Sequence, residues 1–135
     1  MGLAGLVRAR VVTAPARGAG MNIPPPSALP HHRLVAYQVS VELLVLVRDA
    51  RLRDAGLREQ ALRSAKSVCL NIAEAAGRVS HADRARVFGI ARGEVVEACA
   101  AVEIAGVLGA TSAETVERCV ALCSRLAALL TGLMR

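Results

Sequence analysis

Cysteine and histidine are the first residues of this 135-residue chain to consider as ligands of a metal ion. All four cysteines fall on apolar sides of helical patterns: Cys69, Cys99, Cys119 and Cys123. The chain has three histidines: His31, His32 and His81. Cys119 and Cys123 share a helix face at i,i+4 spacing, but a metal site needs further ligands nearby. The simpler interpretation is that the cysteines are small buried hydrophobes in a reducing cytoplasm, and we predict no metal site.

Carboxylates could serve catalysis or a di-metal centre, and Glu74, Glu94 and Glu97 are the candidates for such a set. That design needs Glu-x-x-His pairs on facing helices, and no glutamate here has a histidine three residues later. The sequence also has no Gly-rich phosphate loop, no HExxH and no Gly-x-Ser-x-Gly. We therefore expect a protein that is not an enzyme and has no cofactor.

Basic residues outnumber acidic ones, 17 to 11, and give a net charge of +6. The excess lies in the first two-thirds of the chain, because residues 31–92 contain ten arginines and Lys66 against six acids, whereas residues 93–135 contain three arginines against five glutamates. Such a surface suits a polyanion, most simply nucleic acid. The candidate binding residues are Arg58, Arg63, Lys66, Arg78, Arg84, Arg86 and Arg92. The alternative is a solvated arginine surface without a ligand.

The manner of nucleic-acid contact is constrained by the aromatic residues, which are only Tyr37 and Phe88. So few aromatic side chains argue against an RNA-recognition sheet or a platform for stacked bases. We therefore expect salt-sensitive contact with the phosphate backbone and weak sequence selectivity.

Apolar residues recur at the i, i+3, i+4 spacing of amphipathic helices throughout the domain. The pattern predicts helices over residues 31–50, 57–76 and 81–108, and a fourth that Thr111 opens and that runs to about residue 133. No period-two alternation indicates strands. The connections are short, so the predicted fold is an all-α, antiparallel up-down four-helix bundle.

Local signals predict where these helices begin and end. Gly77 and Gly109 are suitable residues to end the second and third helices, and Gly56 is a helix stop or the last residue of a loop. Capping boxes are predicted for Ser80 with Asp83 and for Thr111 with Glu114.

Two helices have distinctive faces. The main apolar stripe of the first helix contains Leu34, Tyr37, Val41, Leu44, Val45 and Arg48, and Leu43, Leu46 and Val47 widen it. The third helix has a second stripe that mixes aliphatic residues with carboxylates and suits a subunit interface: Ile90, Glu94, Glu97, Ala101, Ile104 and Leu108. Mid-helix Gly89 and Gly93 cost about 1 kcal/mol each against alanine, and we expect close approach of another helix to compensate for this cost.

The first 30 residues differ from the rest, because they are rich in Gly, Ala, Pro and Arg and include three consecutive prolines. We predict a disordered or mis-assigned N-terminal tail over residues 1–30, with Met21 as an alternative start, and a domain over residues 31–135. No apolar run reaches the ~18 residues of a membrane span, so we expect a cytoplasmic protein that does not contact the membrane.

The segment Ser67–Arg78, SVCLNIAEAAGR, resembles the SIxxNIAEGxGR signature of the bacterial 23S rRNA intervening-sequence proteins. Residues 90–97, IARGEVVE, look like that family's IARGSxxE stretch. Residues 34–38 and 59–63 are similar to its first-helix opening and its DQLxRA segment. Ala75 replaces the usual glycine and Glu94 the usual serine, and Glu94 would need a cation from any partner surface.

The resemblance implies a four-helix bundle that assembles as a homo-oligomer, typically a pentameric ring, with an RNA-binding accessory role and no established enzymatic activity. The residues that match the family's motifs are Asn71, Glu74, Gly77, Arg78, Arg92 and Gly93. Our candidates for the oligomer interface or a structural motif are Asn71, Glu74, Gly77, Ile90, Gly93, Glu94, Glu97 and Ile104. Distant relatives are accessory proteins of reverse transcriptases, so the alternative function is a protein-interaction scaffold, for example one that docks such an enzyme.

Overall fold

A computed structural model describes residues 28–135, and the predicted tail lies almost entirely outside these residues. A 3₁₀ turn at Pro30–Arg33 precedes four helices. These are α1 (Val35–Ala50), α2 (Ala55–Gly77), α3 (His81–Val107) and α4 (Ala113–Leu133). No strand occurs within residues 28–135, so the prediction of an all-α, four-helix fold is confirmed.

Each helix packs against two others, in the order α1, α2, α3, α4 and back to α1. Contacts between α3 and α4 pair Gly106 with Val116 at one end and Gly89 with Met134 at the other. Between α2 and α3, the pair Gln60–Glu97 lies far from the corner where the two helices are joined. These pairs and the short connections fit the antiparallel up-down order that the sequence predicts.

The most extensive helix pair is α2 with α3, and small side chains make their close packing possible. Ala61, Ala65 and Ala75 on α2 are fully buried, as are Ala91 and Ala98 on α3. Larger side chains fill the rest of the core: Leu43, Ile72, Phe88, Leu126 and Leu130.

The buried face of α1 agrees with the predicted stripe only at Leu43 and Val47, two of the residues predicted to widen it. Its buried residues are Ala36, Val39, Ser40, Leu43 and Val47, whereas Arg48, which the prediction included, is exposed. Leu34, Tyr37 and Leu44 pack against the edge of the core. The stripe was misplaced because α1 is apolar on most of its circumference, so periodicity alone does not determine which side faces α2 and α4.

Three side chains cap the starts of helices. The Ser80 hydroxyl accepts from the backbone N–H of Asp83 at 3.1 Å, so Ser80 is the cap as predicted. The Asp83 carboxylate pairs with Arg78 and Arg86 and does not complete the predicted capping box. The cap of α4 is Ser112, which accepts from Thr115 N–H at 3.1 Å, so the prediction of Thr111 is wrong by one residue.

The α2 cap was not predicted. Asp54 accepts from Leu57 N–H at 2.9 Å, and α2 therefore begins before Gly56, which lies inside its first turn.

Among residues 28–135, only one helix ends at a glycine in the left-handed conformation. Gly109 has φ +71°, and Ala110 N–H donates to the Ala105 carbonyl at 2.7 Å, which closes α3 as predicted. Gly77 instead remains in α2, and Arg78 ends the helix with extended backbone, so the prediction of Gly77 as a left-handed cap is wrong. The left-handed residue that ends α1 is Arg51, with φ 47°.

The α1–α2 and α3–α4 connections lie side by side. The backbone N–H of Arg53 donates to the Ala110 carbonyl at 3.0 Å, and the Arg53 guanidinium donates to the Gly109 carbonyl. Leu52, between the two helices of the first connection, is fully buried. The two helical hairpins are therefore joined at this end of the bundle.

Candidate nucleic-acid and subunit interfaces

The outward side of α2 presents two exposed cations, Arg63 and Lys66. Arg63 donates to the side-chain oxygen of Gln60, which is neutral. Lys66 makes no hydrogen bond or ion pair with any residue from 28 to 135. Leu70, 71% exposed, lies between these cations and the end of the helix. No acidic side chain within residues 28–135 pairs with either cation, so in this part of the chain both charges are available to an external anion.

The corner between α2 and α3 contains three of the predicted cations, Arg78, Arg84 and Arg86. Acidic side chains form ion pairs with two of them. Arg78 forms ion pairs with Glu74 and, at 3.2 Å, with Asp83. Arg86 pairs with the same Asp83 at 2.9 Å. The hydrogen bond from Arg86 lowers the pKa of the Asp83 carboxyl, and the hydrogen bond to Glu74 raises the pKa of the Arg78 guanidinium. This corner is therefore less positive than its sequence indicates.

Arg84 supports the same corner through the backbone. Its guanidinium donates to the carbonyls of Val79 at 3.1 Å and Arg78 at 3.3 Å. Both carbonyls follow the last helical residue of α2, where they have no partner within the helix. Arg84 therefore ties the connection to the first turn of α3.

Arg58 and Arg92 lie apart from the other candidates. Arg58 is near the start of α2, about 30 Å along the helix axis from Arg78, and donates to the Leu52 carbonyl at 2.8 Å. Arg92 on α3 donates to the Thr131 hydroxyl of α4 at 2.9 Å. The seven predicted cations therefore do not form one continuous patch.

Large apolar side chains are exposed along the side of α3 that points away from the bundle. We call this surface the outer α3 face, and its members are Ile90, Gly93, Val96, Ile104 and Val107. The four aliphatic side chains are 45%, 54%, 48% and 86% exposed. Among residues 28–135 no other helix exposes as many large apolar side chains. Of the stripe predicted here, Ala101 was wrongly assigned, because it faces the core and is only 3% exposed.

The two glycines of α3 have different surroundings. A Cβ atom at Gly89 would lie 3.3 Å from Cε of Met134, the residue that follows α4. A Cβ atom at Gly93 would meet nothing within 4 Å among the described residues. The close helix approach that we predicted therefore occurs at Gly89, while Gly93 faces outward on the outer α3 face.

The remaining candidates for a structural motif make contacts within the chain. The Asn71 amide donates to the carbonyl of Ser67 at 2.9 Å. The Glu97 carboxylate accepts from the Gln60 amide at 2.6 Å and so links α3 to α2. Glu94 is half-buried. A Cβ atom added at Gly77 would meet no atom of residues 28–135 within 4 Å.

Sequence reasoning missed one group of side chains. The Sγ atoms of Cys99, Cys119 and Cys123 lie within 4.8 Å of one another, between α3 and α4. Cys119 and Cys123 are buried as predicted, and Cys69 on α2 is separate and half-buried. The antiparallel register of α3 and α4 brings Cys99 opposite the other two, and that register was not apparent from the spacing within either helix.

Similarity to known proteins identifies the family of this chain. Within residues 28–135, none of the helices is both long and apolar enough to cross a membrane. Comparison with curated proteins finds no similar sequence. The family model described as 23S rRNA-intervening sequence protein matches residues 33–132, which include all four helices except the last residue of α4. Because this match covers most of the chain, the protein belongs to the 23S rRNA-intervening sequence protein family.

Proposed function

We propose that the protein is a non-enzymatic homo-oligomer that assembles through the outer α3 face and binds RNA through the outward side of α2. The observation that supports it best is the presence of two distinct surfaces on one bundle, one apolar and one basic. The pentameric ring and the cytoplasmic location belong to this proposal.

Self-association is supported by the apolar side chains of the outer α3 face. A helix that is apolar on opposite sides is normally buried on both, and α3 already buries its inner side against α2 and α4. Removing apolar surface from water contributes about 25 cal/mol per Å², which favours contact with a second copy. Gly93 has no side chain and lets a second helix come close. Glu94 and Glu97 border this surface, so the partner copy is expected to supply a cation there.

The double variant Val96→Glu, Ile104→Glu tests this interface. Two carboxylates would enter an apolar contact and lose their hydration without gaining partners, so we expect the variant to be a single chain at concentrations where the unmodified protein is an oligomer. The control is Leu70→Glu, which places a carboxylate on α2 at a position more exposed than either of these two residues. Light scattering gives the mass of each protein, and circular dichroism shows that each is folded. An oligomer unchanged by the double substitution would contradict the assignment.

RNA binding is supported by Arg63 and Lys66, which form no ion pair with an acid in the described part of the chain. Guanidinium and ammonium groups bind phosphate oxygens and release counterions from the nucleic acid, which makes affinity salt-dependent. In an oligomer the pair is repeated in every subunit, so several weak contacts act together on one RNA.

The double variant Arg63→Gln, Lys66→Gln tests this surface. We expect weaker binding to a structured RNA. The slope of log affinity against log salt concentration should also be smaller by about two units per bound subunit, because each lost phosphate contact reduces that slope by about one. The control Arg118→Gln, Arg125→Gln makes the same charge change on α4, where both residues are exposed. Fluorescence anisotropy at several salt concentrations compares the three proteins. If the control weakens binding equally, net charge and not the α2 surface is responsible.

The second candidate function is a scaffold that docks a protein partner such as a reverse transcriptase. The mixture of aliphatic side chains and carboxylates on α3 favours it, because such a surface suits a protein contact better than a polyanion. An oligomer that does not bind RNA at any salt concentration would support this candidate over the first.

A further inference from the structure

Three cysteine thiols meet where α3 packs against α4. The sulfur atoms of Cys99, Cys119 and Cys123 all lie within 4.8 Å of one another, and Cys119 Sγ is 3.9 Å from Cys123 Sγ. Cys119 and Cys123 are buried, while Cys99 is half-buried. The group is therefore mostly enclosed by the bundle but reaches its surface through α3.

A carboxylate stands beside the three thiols. Glu103 lies one helical turn after Cys99, and its Oε1 atom is 3.6 Å from Cys99 Sγ. It is exposed, so its side chain can rotate toward the sulfurs without leaving a buried position. The four groups form two i,i+4 pairs, one on α3 and one on α4, and the two pairs face each other across the helix contact.

We propose that Cys99, Cys119, Cys123 and Glu103 bind a Zn²⁺ ion that joins α3 to α4. Zinc in proteins is bound tetrahedrally by thiolate, imidazole or carboxylate groups, with a Zn–S distance of about 2.3 Å. Two sulfurs on such an ion are about 3.8 Å apart, close to the 3.9 Å between Cys119 and Cys123. Soft thiolates exclude Ca²⁺ and Mg²⁺, which prefer oxygen ligands.

The protonation of the thiols sets how the site responds to pH. Burial raises the pKa of the Cys99 thiol to about 11, and the hydrogen bond to Cys119 together with burial raises the pKa of Cys123. The same hydrogen bond, donated by Cys123, lowers the pKa of Cys119. Thiols bind zinc as thiolates, so the ion must displace their protons, and its affinity is expected to rise with pH.

Cobalt and zinc titrations of the reduced, full-length protein under argon test the site. Co²⁺ in a tetrahedral thiolate site gives sulfur-to-metal charge-transfer bands and intense visible bands, so the probe reports ligand type and geometry directly. We expect these bands to saturate at one ion per chain and to disappear when Zn²⁺ is added. The control Cys69→Ala removes the cysteine outside the cluster and should leave the titration unchanged.

Two variants identify the ligands, and circular dichroism confirms that each is folded. Cys99→Ala, at the half-buried position, should weaken zinc binding by more than ~100-fold, beyond the range typical of groups that only orient a ligand. Glu103→Gln removes the carboxylate ligand, whose place a water molecule can take, so it should weaken zinc binding clearly but less than Cys99→Ala does. Absence of the cobalt bands in the unmodified protein, or an unchanged zinc affinity in Cys99→Ala, would overturn the proposal. Full zinc affinity in Glu103→Gln would overturn the assignment of Glu103 and leave a three-sulfur site, the kind that a soft monovalent ion such as Cu⁺ prefers.

Discussion

Replacing Leu126 with alanine is expected to lower the free energy of unfolding by about 2–5 kcal/mol. Leu126 is on the inner side of α4 and is completely buried in the core that all four helices share. The shorter side chain loses its apolar contacts and leaves a cavity, because the surrounding side chains collapse into it only partly. Urea denaturation followed by circular dichroism measures the change, at one fixed chain concentration because self-association would also contribute to stability.

The control for this prediction is Leu70→Ala, which makes the same chemical change at an exposed position of α2. Surface substitutions usually change stability by less than about 0.5 kcal/mol, so the control should resemble the unmodified protein. A loss at Leu70 as large as that at Leu126 would show that the outward side of α2 is buried in the assembly, and this result would contradict its proposed role as an RNA-binding surface.

Replacing Gly106 with alanine is expected to destabilise the bundle by about 1–3 kcal/mol, although alanine is the better helix former. A Cβ atom at this position would lie 2.7 Å from Cγ2 of Val116 on α4. Valine is β-branched and has one strongly preferred rotamer in a helix, so the methyl group cannot turn away and the helices must separate. The strain should exceed the gain of about 1 kcal/mol in helix propensity.

Two further variants isolate the steric cause. In the double variant Gly106→Ala, Val116→Ala the methyl groups of Val116 are absent. The loss of stability in the double variant should therefore be smaller than the sum of the losses in the two single variants. Gly93→Ala adds a methyl group where no atom of the described residues lies within 4 Å, and it should stabilise the single chain by up to about 1 kcal/mol. If Gly93→Ala also weakens self-association, the contact between copies lies at the outer α3 face. If the effects of Gly106→Ala and Val116→Ala are additive in the double variant, Val116 is not the obstacle at Gly106.

Helix existence and several helix boundaries were predictable because they depend on local rules. Ser80 caps α3 and Gly109 closes it, and both effects involve residues within one turn of the helix end. Where two local signals competed, the sequence did not decide between them, as at Thr111 and Ser112. At Arg78 the helix ends without a left-handed glycine, because ion pairs to Glu74 and Asp83 hold the corner instead.

The candidate site was predicted less well, because it depends on which side chains meet across helices. The basic residues were correctly placed on α2 and α3, but the sequence did not show that Asp83 offsets both Arg78 and Arg86. The cysteine cluster depends on the register between α3 and α4. Once Gly106 is set opposite Val116, Cys99 falls opposite Cys123, yet no pattern within one helix fixes that register.

The hydrogen bond from Arg53 to Ala110 affects how the chain tolerates change. Surface connections usually accept inserted residues at little cost, because a loop's backbone is bound mainly to water. Here the two connections are bound to each other, and Leu52 beside Arg53 is part of the core. An insertion in either connection would therefore disturb all four helices, whereas the α2–α3 corner at the opposite end of the bundle is the better position for adding a tag or opening the chain.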